Sequence, residues 1–384
     1  MLPYGRQTID DADIAAVVEA LRSPYLTCGP IVPRFEQALA AKVGAGYASA
    51  CSSGTAALHL VYAALDIGPG DEIITTPITF SATAAAAYYV GANVRFADVD
   101  PHTGNIDPST IEALVTPRTR AIVPVHLAGM PADMDSIHAI AKRHNLAVVE
   151  DACHALGATY RNTPVGGDRR TAATVFSFHP VKHVTTGEGG AVVCHDPSFK
   201  RRVDRLRQHG IERDPAHTQQ PLAGPWAYEV VELGWNYRLP DLACALGISQ
   251  LGKLDAFVAR RRELAAMYRK QLPTNIAAPR EQGDRESAYH LFAIAVDWAN
   301  YGTTRAHVAT ELAKLGIGTQ VHYIPLTEQP LHARRCPGQV TPPGAARYYQ
   351  QTLSLPLFPA MTDSDVADVV AKLSRLLGGL GDVK

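Results

Sequence analysis

The chain has 384 residues, 46% of them hydrophobic and 19% charged, with 36 basic against 37 acidic side chains. Such a length suits two domains, or one large and one small, and the composition carries too little charge for a disordered chain. A net charge of −1 gives no global field to recruit nucleic acid or an anionic membrane surface, which excludes a basic DNA-binding protein.

In chain order, Asp10 and Asp11 precede Ile14, Val17, Val18 and Leu21, so the spacing predicts an amphipathic helix with acidic caps. A second helix follows Gly54 through Ala57, Leu58, Leu60, Val61 and Leu65. Short apolar runs then read as strands: Glu72–Thr75, Val94–Phe96, Ala121–Val125, Ala147–Val149 and Thr174–Phe178. Helical stretches such as Ser109–Leu114 and Met134–Arg143 separate several of them. Strands joined by crossover helices imply a mainly parallel sheet covered on both faces, with ligands at the carboxyl ends of its strands.

From Asp241 to Gln271 the pattern is one long helix, with Gly247 and Gly252 as its weak points. Beyond it, strands are expected at Leu291–Val296 and Thr319–Tyr323, around a helix at Arg305–Leu315. The Gly/Pro-rich Cys336–Gly344 reads as a surface loop, and a last helix runs from Thr362 to Leu377. The expected division is a large domain over 1–245 and a smaller C-terminal α/β domain over 246–384.

No apolar run reaches the length of a membrane span, and the N-terminus lacks the zones of a secretion signal. The six cysteines are scattered without a Cys-x-x-Cys pair. They read as reduced, mostly buried thiols of a cytoplasmic protein.

Neither G-x-G-x-x-G after a strand nor G-x-x-x-x-G-K-[ST] is present, which disfavours a Rossmann dehydrogenase and a P-loop NTPase. Three local constellations carry chemistry instead. Cys51-Ser52-Ser53-Gly54-Thr55 leads into a helix, where free N–H groups suit a phosphate, although the same residues serve as ordinary caps. Val148-Val149-Glu150-Asp151 ends a buried strand in two acids, as a ligand site or as a cap for the next element. Phe176–Gly190 sets Lys182 between an apolar strand and a Gly-rich turn, where partial burial frees an amine to condense with an aldehyde. His179 and His183 lie four apart, but Pro180 interrupts a helix across them, so no metal site is expected. Together, a phosphate cradle, a strand-end carboxylate and a semi-buried lysine are the parts that pyridoxal phosphate needs.

These residues carry a resemblance. Leu26–Pro30, Ser53–Leu58, Gly70–Ile74 with Thr79-Phe80, Glu150–Ala155, Ser177–Lys182, Thr186–Gly190, Asn236-Tyr237-Arg238 and Val321–Pro325 resemble the DegT/StrS nucleotide-sugar aminotransferases, along essentially the whole chain. The resemblance implies a fold-type-I pyridoxal phosphate transferase, with a mainly parallel seven-stranded sheet in its large domain. It implies Lys182 as the Schiff-base lysine and Asp151 as the partner of the pyridine nitrogen. It further implies Gly54, Thr55 and Ser177 around the phosphate, His154 near the ring hydroxyl and Phe80 stacked on the ring. Asn236 would reach the phosphate of a neighbouring subunit in a homodimer, and Thr27, Arg238, His322 and Tyr323 would face substrate. Some relatives carry histidine at the lysine position and dehydrate sugars; Lys182 favours transamination.

The implied reaction moves the amino group of L-glutamate to C4 of a nucleotide-linked 4-keto-6-deoxysugar for cell-surface polysaccharide. Ser177–His183 is most similar to the branch acting on UDP-2-acetamido-2,6-dideoxyhexos-4-ulose on the pseudaminic acid route. Perosamine, bacillosamine and aminoarabinose branches stay open, as does a non-catalytic regulatory relative. An amino acid decarboxylase or sulfur-handling enzyme of the same fold would share Asp151 and Lys182 but lack the Asn236–Arg238 and His322-Tyr323 segments.

Overall fold

The computed structural model describes residues 1–378. The first helix, α1 (Asp11–Arg22), starts where the acids predict: Asp10 accepts the Asp13 N–H, and Asp13 returns the contact to the Asp10 N–H. After α2 (Ile31–Val43) come β1 (Tyr47–Cys51), α3 (Gly54–Ala64), β2 (Glu72–Thr75), α4 (Ala82–Tyr89), β3 (Asn93–Phe96) and β4 (Thr119–Ile122). Next are α5 (Met134–His144), β5 (Ala147–Asp151), β6 (Ala173–Ser177), β7 (Gly190–Cys194) and α6 (Pro197–Leu206).

The seven strands form one sheet in the order β1-β7-β6-β5-β4-β2-β3. Only β7 runs against its neighbours, pairing antiparallel with β1 and β6, whereas β6, β5, β4, β2 and β3 pair in parallel. Six strands therefore end on one edge, which collects Cys51, Asp151 and Ser177. Side chains alternate across the sheet. Ile73, Val149, Val175 and Val192 pack with α3 and α4 on one face, while Ile74, Val148, Phe176 and Val193 join α2 or α5 on the other.

Three expectations change in detail. The strand expected to Val125 ends at Ile122 because Pro124 has no N–H for the ladder, although Val125 still bridges Asp151. Ser109–Leu114 forms two 3-10 turns, Pro108–Thr110 and Glu112–Leu114, too short to sustain an α-helix. Thr319–Tyr323 is not a strand; Gln320 alone bridges Ser354, and the chain then turns toward the cavity described below.

The long helix is two: α7 (Asp241–Gly252) and α8 (Leu254–Gln271) meet at 56°. The break falls beside Gly252 rather than Gly247, and the expected boundary at 245/246 lies inside α7. Lys253 at the bend contacts Asp10 and Asp13 at 2.8 and 2.6 Å, which ties the corner to α1. Among the described residues, no single helix is long and apolar enough to cross a membrane.

Further on come β8 (Phe292–Ala295), α9 (Arg305–Lys314), α10 (Pro330–Arg335), α11 (Pro343–Gln351), β9 (Thr352–Leu355) and α12 (Asp363–Gly378). β8 and β9 pair antiparallel and share a core with α8, α9 and α12, built on Leu264, Tyr268, Leu312, Leu353 and Leu373. Leu2 packs against this core and bridges Ile317, so the N-terminal residues fold with the C-terminal ones. The expected loop 336–344 is only partly superficial. Cys336 is buried with its thiol on the Val94 carbonyl, and α11 has begun by Pro343.

Asp13 is fully buried and accepts from Lys253 and from Gln250 at 2.7 Å. Asp13→Ala removes the buried carboxylate that Lys253 and Gln250 share and one half of the helix cap, while Asp10 and the Thr8 carbonyl keep one contact to each donor, so it should cost about 2 kcal/mol in urea unfolding. A loss below about 1 kcal/mol would show that the corner is held by apolar packing alone.

Candidate active site

The strand ends open into a cavity of about 890 Å³, closed on its other side by the segment around His322 and Tyr323. Nine of the twelve expected site residues line it: Gly54, Thr55, Phe80, Asp151, His154, Ser177, Lys182, His322 and Tyr323. Thr27 and Asn236 are exposed, and Thr27, Asn236 and Arg238 all lie outside this wall. The Arg238 backbone instead bridges Cys51, and Asn236 bridges Gln208.

One end of the cavity is the start of α3. Ser53 caps the helix by accepting the Ala56 N–H at 3.0 Å. The Gly54 and Thr55 N–H groups precede any carbonyl that could pair with them in the helix. A Cβ at Gly54 would stand 3.1 Å from both the Cys153 thiol and Ser177 Cβ, so only glycine leaves this approach open. Bare N–H groups at a positive helix end form a cradle for a phosphate.

Across from it, Asp151 is buried at the end of β5. Thr83 donates its hydroxyl to Oδ2 at 2.6 Å, and the Cys153 N–H donates to Oδ1 at 3.2 Å. The carboxylate is thus fixed from behind by donors and keeps acceptor capacity toward the cavity. Sequence reading missed Thr83. Its signal is the i, i+4 pair with Thr79, whose hydroxyls lie 2.8 Å apart, but threonines in an alanine run read as packing.

Lys182 follows β6 through a turn in which its N–H donates to His179 O at 2.9 Å. Burial pulls its amine below the ordinary lysine range, and the charge of Asp151 opposes the shift. The Cys153 thiol is pushed well up by burial and by Asp151, so it stays protonated and adds no charge there. His179 is exposed whereas His183 is buried with Nε2 on the Ala288 carbonyl at 3.0 Å; the two face different surroundings.

Beside the lysine lies a group of buried histidines. His154 Nε2 is 3.2 Å from the Tyr323 hydroxyl, while its Nδ1 is buried with no partner among the described residues. The His290 ring lies 4.4 Å from His154, and His183 lies 5.6 Å from His290, between centroids. His322 bonds Ser354 through Nδ1 at 2.9 Å. Burial, and then the positive charge of Lys182, hold His154 well below the usual histidine range and His322 near about 3. Phe80 stands exposed at the mouth, 6.2 Å from the Tyr323 ring.

The residues present fit pyridoxal phosphate. The glycine-floored cradle suits its phosphate, the anchored carboxylate suits its ring nitrogen, and the amine suits its aldehyde. The orphaned His154 nitrogen marks polar capacity that the chain alone leaves unused.

The histidines set a pH dependence. In the folded chain His154, His183, His290 and His322 stay unprotonated to lower pH than in the unfolded chain, where each titrates near 6.5. Below that pH the unfolded state takes up protons that the folded state refuses, so stability falls as pH falls. The expected slope is about 1.4 kcal/mol per pH unit for each histidine. Urea unfolding between pH 7 and 5 measures it, and His290→Phe should flatten the slope by about that amount.

Residues 7–374 match the DegT/DnrJ/EryC1/StrS aminotransferase family. The chain is 42% identical to the spore coat polysaccharide biosynthesis protein SpsC of Bacillus subtilis, over 98% of this chain and 97% of that protein. Among solved structures it is similar to Helicobacter pylori PseC, an aminotransferase involved in the biosynthesis of pseudoaminic acid. There the TM-score is 0.92 at 31% identity, covering 98% of this chain and 99% of that one. The pyridoxal phosphate form of the sugar aminotransferase Spr1654 from Streptococcus pneumoniae gives a TM-score of 0.90 at 28% identity, covering 98% and 99%. The chain belongs to the DegT/DnrJ/EryC1/StrS aminotransferase family and is a pyridoxal-phosphate-dependent sugar aminotransferase.

Proposed function

We propose that this enzyme moves the amino group of L-glutamate to C4 of UDP-2-acetamido-2,6-dideoxyhexos-4-ulose, acting as a homodimer. The observation that carries this reading is the meeting of Gly54, Asp151 and Lys182 on the walls of one cavity. Gly54, Thr55 and Ser177 would hold the phosphate, Asp151 would pair with the ring nitrogen, and His154 would serve the ring hydroxyl. Phe80, which lines the cavity, would cover the ring face. When bound, the cofactor supplies an electron sink that stabilises negative charge at the carbon losing its proton.

Lys182 Nζ does the proton work. The amine would serve as the base that takes the donor's α-proton and as the acid that gives it back, in both halves of the exchange. Burial lowers the pKa of this amine, the direction that favours its acting as a base. The buried histidines and Tyr323 exclude water from this amine.

A cavity of about 890 Å³ lies in the upper range for small-molecule sites, which supports a substrate larger than an amino acid. His322 and Tyr323 face the sugar. The exposed Asn236, with Thr27 and Arg238, serves the neighbouring subunit's site, which agrees with their position outside this chain's own cavity. The likeness to PseC supports the UDP-linked acetamido sugar, and the likeness to SpsC supports a product destined for surface polysaccharide.

Lys182→Ala should lose turnover by more than about 1,000-fold while still binding the cofactor noncovalently. Appreciable turnover in that variant would overturn the role of Lys182. Wild-type protein should be yellow and bleach with glutamate. In a panel of UDP-, GDP- and dTDP-linked 4-ketosugars, kcat/KM should be highest for the UDP-linked acetamido sugar. A higher value for a GDP- or dTDP-linked sugar would overturn the substrate and leave the transamination standing.

A further inference from the structure

Glu150 and Asp151 are neighbours on β5, so their side chains leave the sheet on opposite faces. Asp151 enters the cavity, whereas Glu150, only 2% exposed, lies on the face covered by α5. Nothing in the transamination uses Glu150. A carboxylate there is expensive, because the site could be filled by an apolar side chain without a desolvation cost.

What surrounds Glu150 is a closed hydrogen-bond network. The Ala132 N–H donates to His126 Nδ1 at 3.1 Å, so that nitrogen carries the lone pair and Nε2 carries the proton. Nε2 then donates to Glu150 Oε2 at 2.7 Å. Thr171 donates its hydroxyl to Oε1 at 2.5 Å, and His138 Nε2 stands 3.2 Å from the Thr171 oxygen. Both His126 nitrogens and both Glu150 oxygens are satisfied. A small cavity of about 70 Å³ leads to this network, and Asp168 and Arg170 line it.

The same His126 also holds the backbone of Asp151. The His126 N–H donates to Asp151 O at 3.0 Å, and the Asp151 N–H donates to Pro124 O at 2.9 Å. The segment 124–126 thus grips the Asp151 peptide on both sides, while its imidazole grips the preceding side chain through the sheet. A shift of the strand end would break a charged hydrogen bond on one face to move a carboxylate on the other.

We propose that Glu150 and His126 are a positioning pair that sets the register and aim of Asp151 toward the cofactor ring nitrogen, with Thr171 fixing the second Glu150 oxygen. This rests on the reading of Asp151 as the ring-nitrogen partner. The pair touches neither cofactor nor substrate and acts only through the strand.

The test uses the full-length enzyme reconstituted with pyridoxal phosphate. Four variants are compared with wild type: Asp151→Asn, Glu150→Gln, Thr171→Val and the double variant Glu150→Leu/His126→Phe, which replaces the pair with apolar bulk. Cofactor affinity is read by equilibrium dialysis, the pH midpoint of the visible absorbance band by titration, and folding by thermal unfolding of the cofactor-free protein. The double variant should keep its fold at a lower unfolding temperature, because apolar bulk replaces both partners while the Ala132 N–H and the Thr171 hydroxyl lose their acceptors. It should nevertheless bind the cofactor about ten-fold more weakly and shift the pH midpoint, as loss of outer partners does at metal sites. Glu150→Gln should move both readouts in the same direction, and Thr171→Val should move them less.

A double variant that folds and keeps wild-type affinity and midpoint, while Asp151→Asn loses both, would overturn the proposal and leave Asp151's role intact. If Asp151→Asn is itself silent, the reading of Asp151 falls instead. Should the double variant and Glu150→Gln both fail to fold, Thr171→Val decides: wild-type readouts in that variant overturn the positioning pair.

Discussion

The site depends on the common direction of six strands. Because only β7 opposes its neighbours, the carboxyl ends of β1, β5 and β6 share one edge. Each delivers a different chemical part there: a helix start after Cys51, a carboxylate at Asp151, and a turn after Ser177 that carries the amine. Reversing any one of these strands would put its part on the far side of the molecule. No local interaction could compensate, since the parts come from three separate strands that meet only through the sheet.

The price of collecting charge at a buried edge is met by hydrogen bonds behind it. Asp151 takes donors from Thr83 and Cys153, and Glu150 takes donors from His126 and Thr171. The amine stands apart from this pattern: burial works against its charge and Asp151 works for it. Around it the histidines are uncharged near neutral pH, so they add polar atoms without adding positive charge. Such surroundings lower the amine's affinity for a proton from its value in water without removing the acid that opposes the shift.

Much of this was legible in the residues. The helix caps at Asp10 and Ser53 act over three positions, and the β2 run Glu72–Thr75 is flanked by clear breaks. The strand-end acid and the lysine after a β-run carry their meaning locally. What escaped was non-local. Thr83 matters because α4 lies over β5, and His290 because its segment folds against His154; neither fact has a sequence spacing to reveal it. The broken helix at Lys253 was missed for a related reason, since helical periodicity continues smoothly through a corner whose angle is set by contact with α1. Thr27, Asn236 and Arg238 came from motif likeness, and a single chain offers no surface on which to place them.

The amino-terminal strap has a practical consequence. Tyr4 lines the cavity, its carbonyl receives the Leu357 N–H at 3.0 Å, and Leu2 is stitched to Ile317. The segment that crystallographers and enzymologists most often trim or extend for purification is therefore a piece of the catalytic wall here. A handle attached close to Leu2 loads a segment that is bonded to Ile317 two residues before it reaches the cavity at Tyr4.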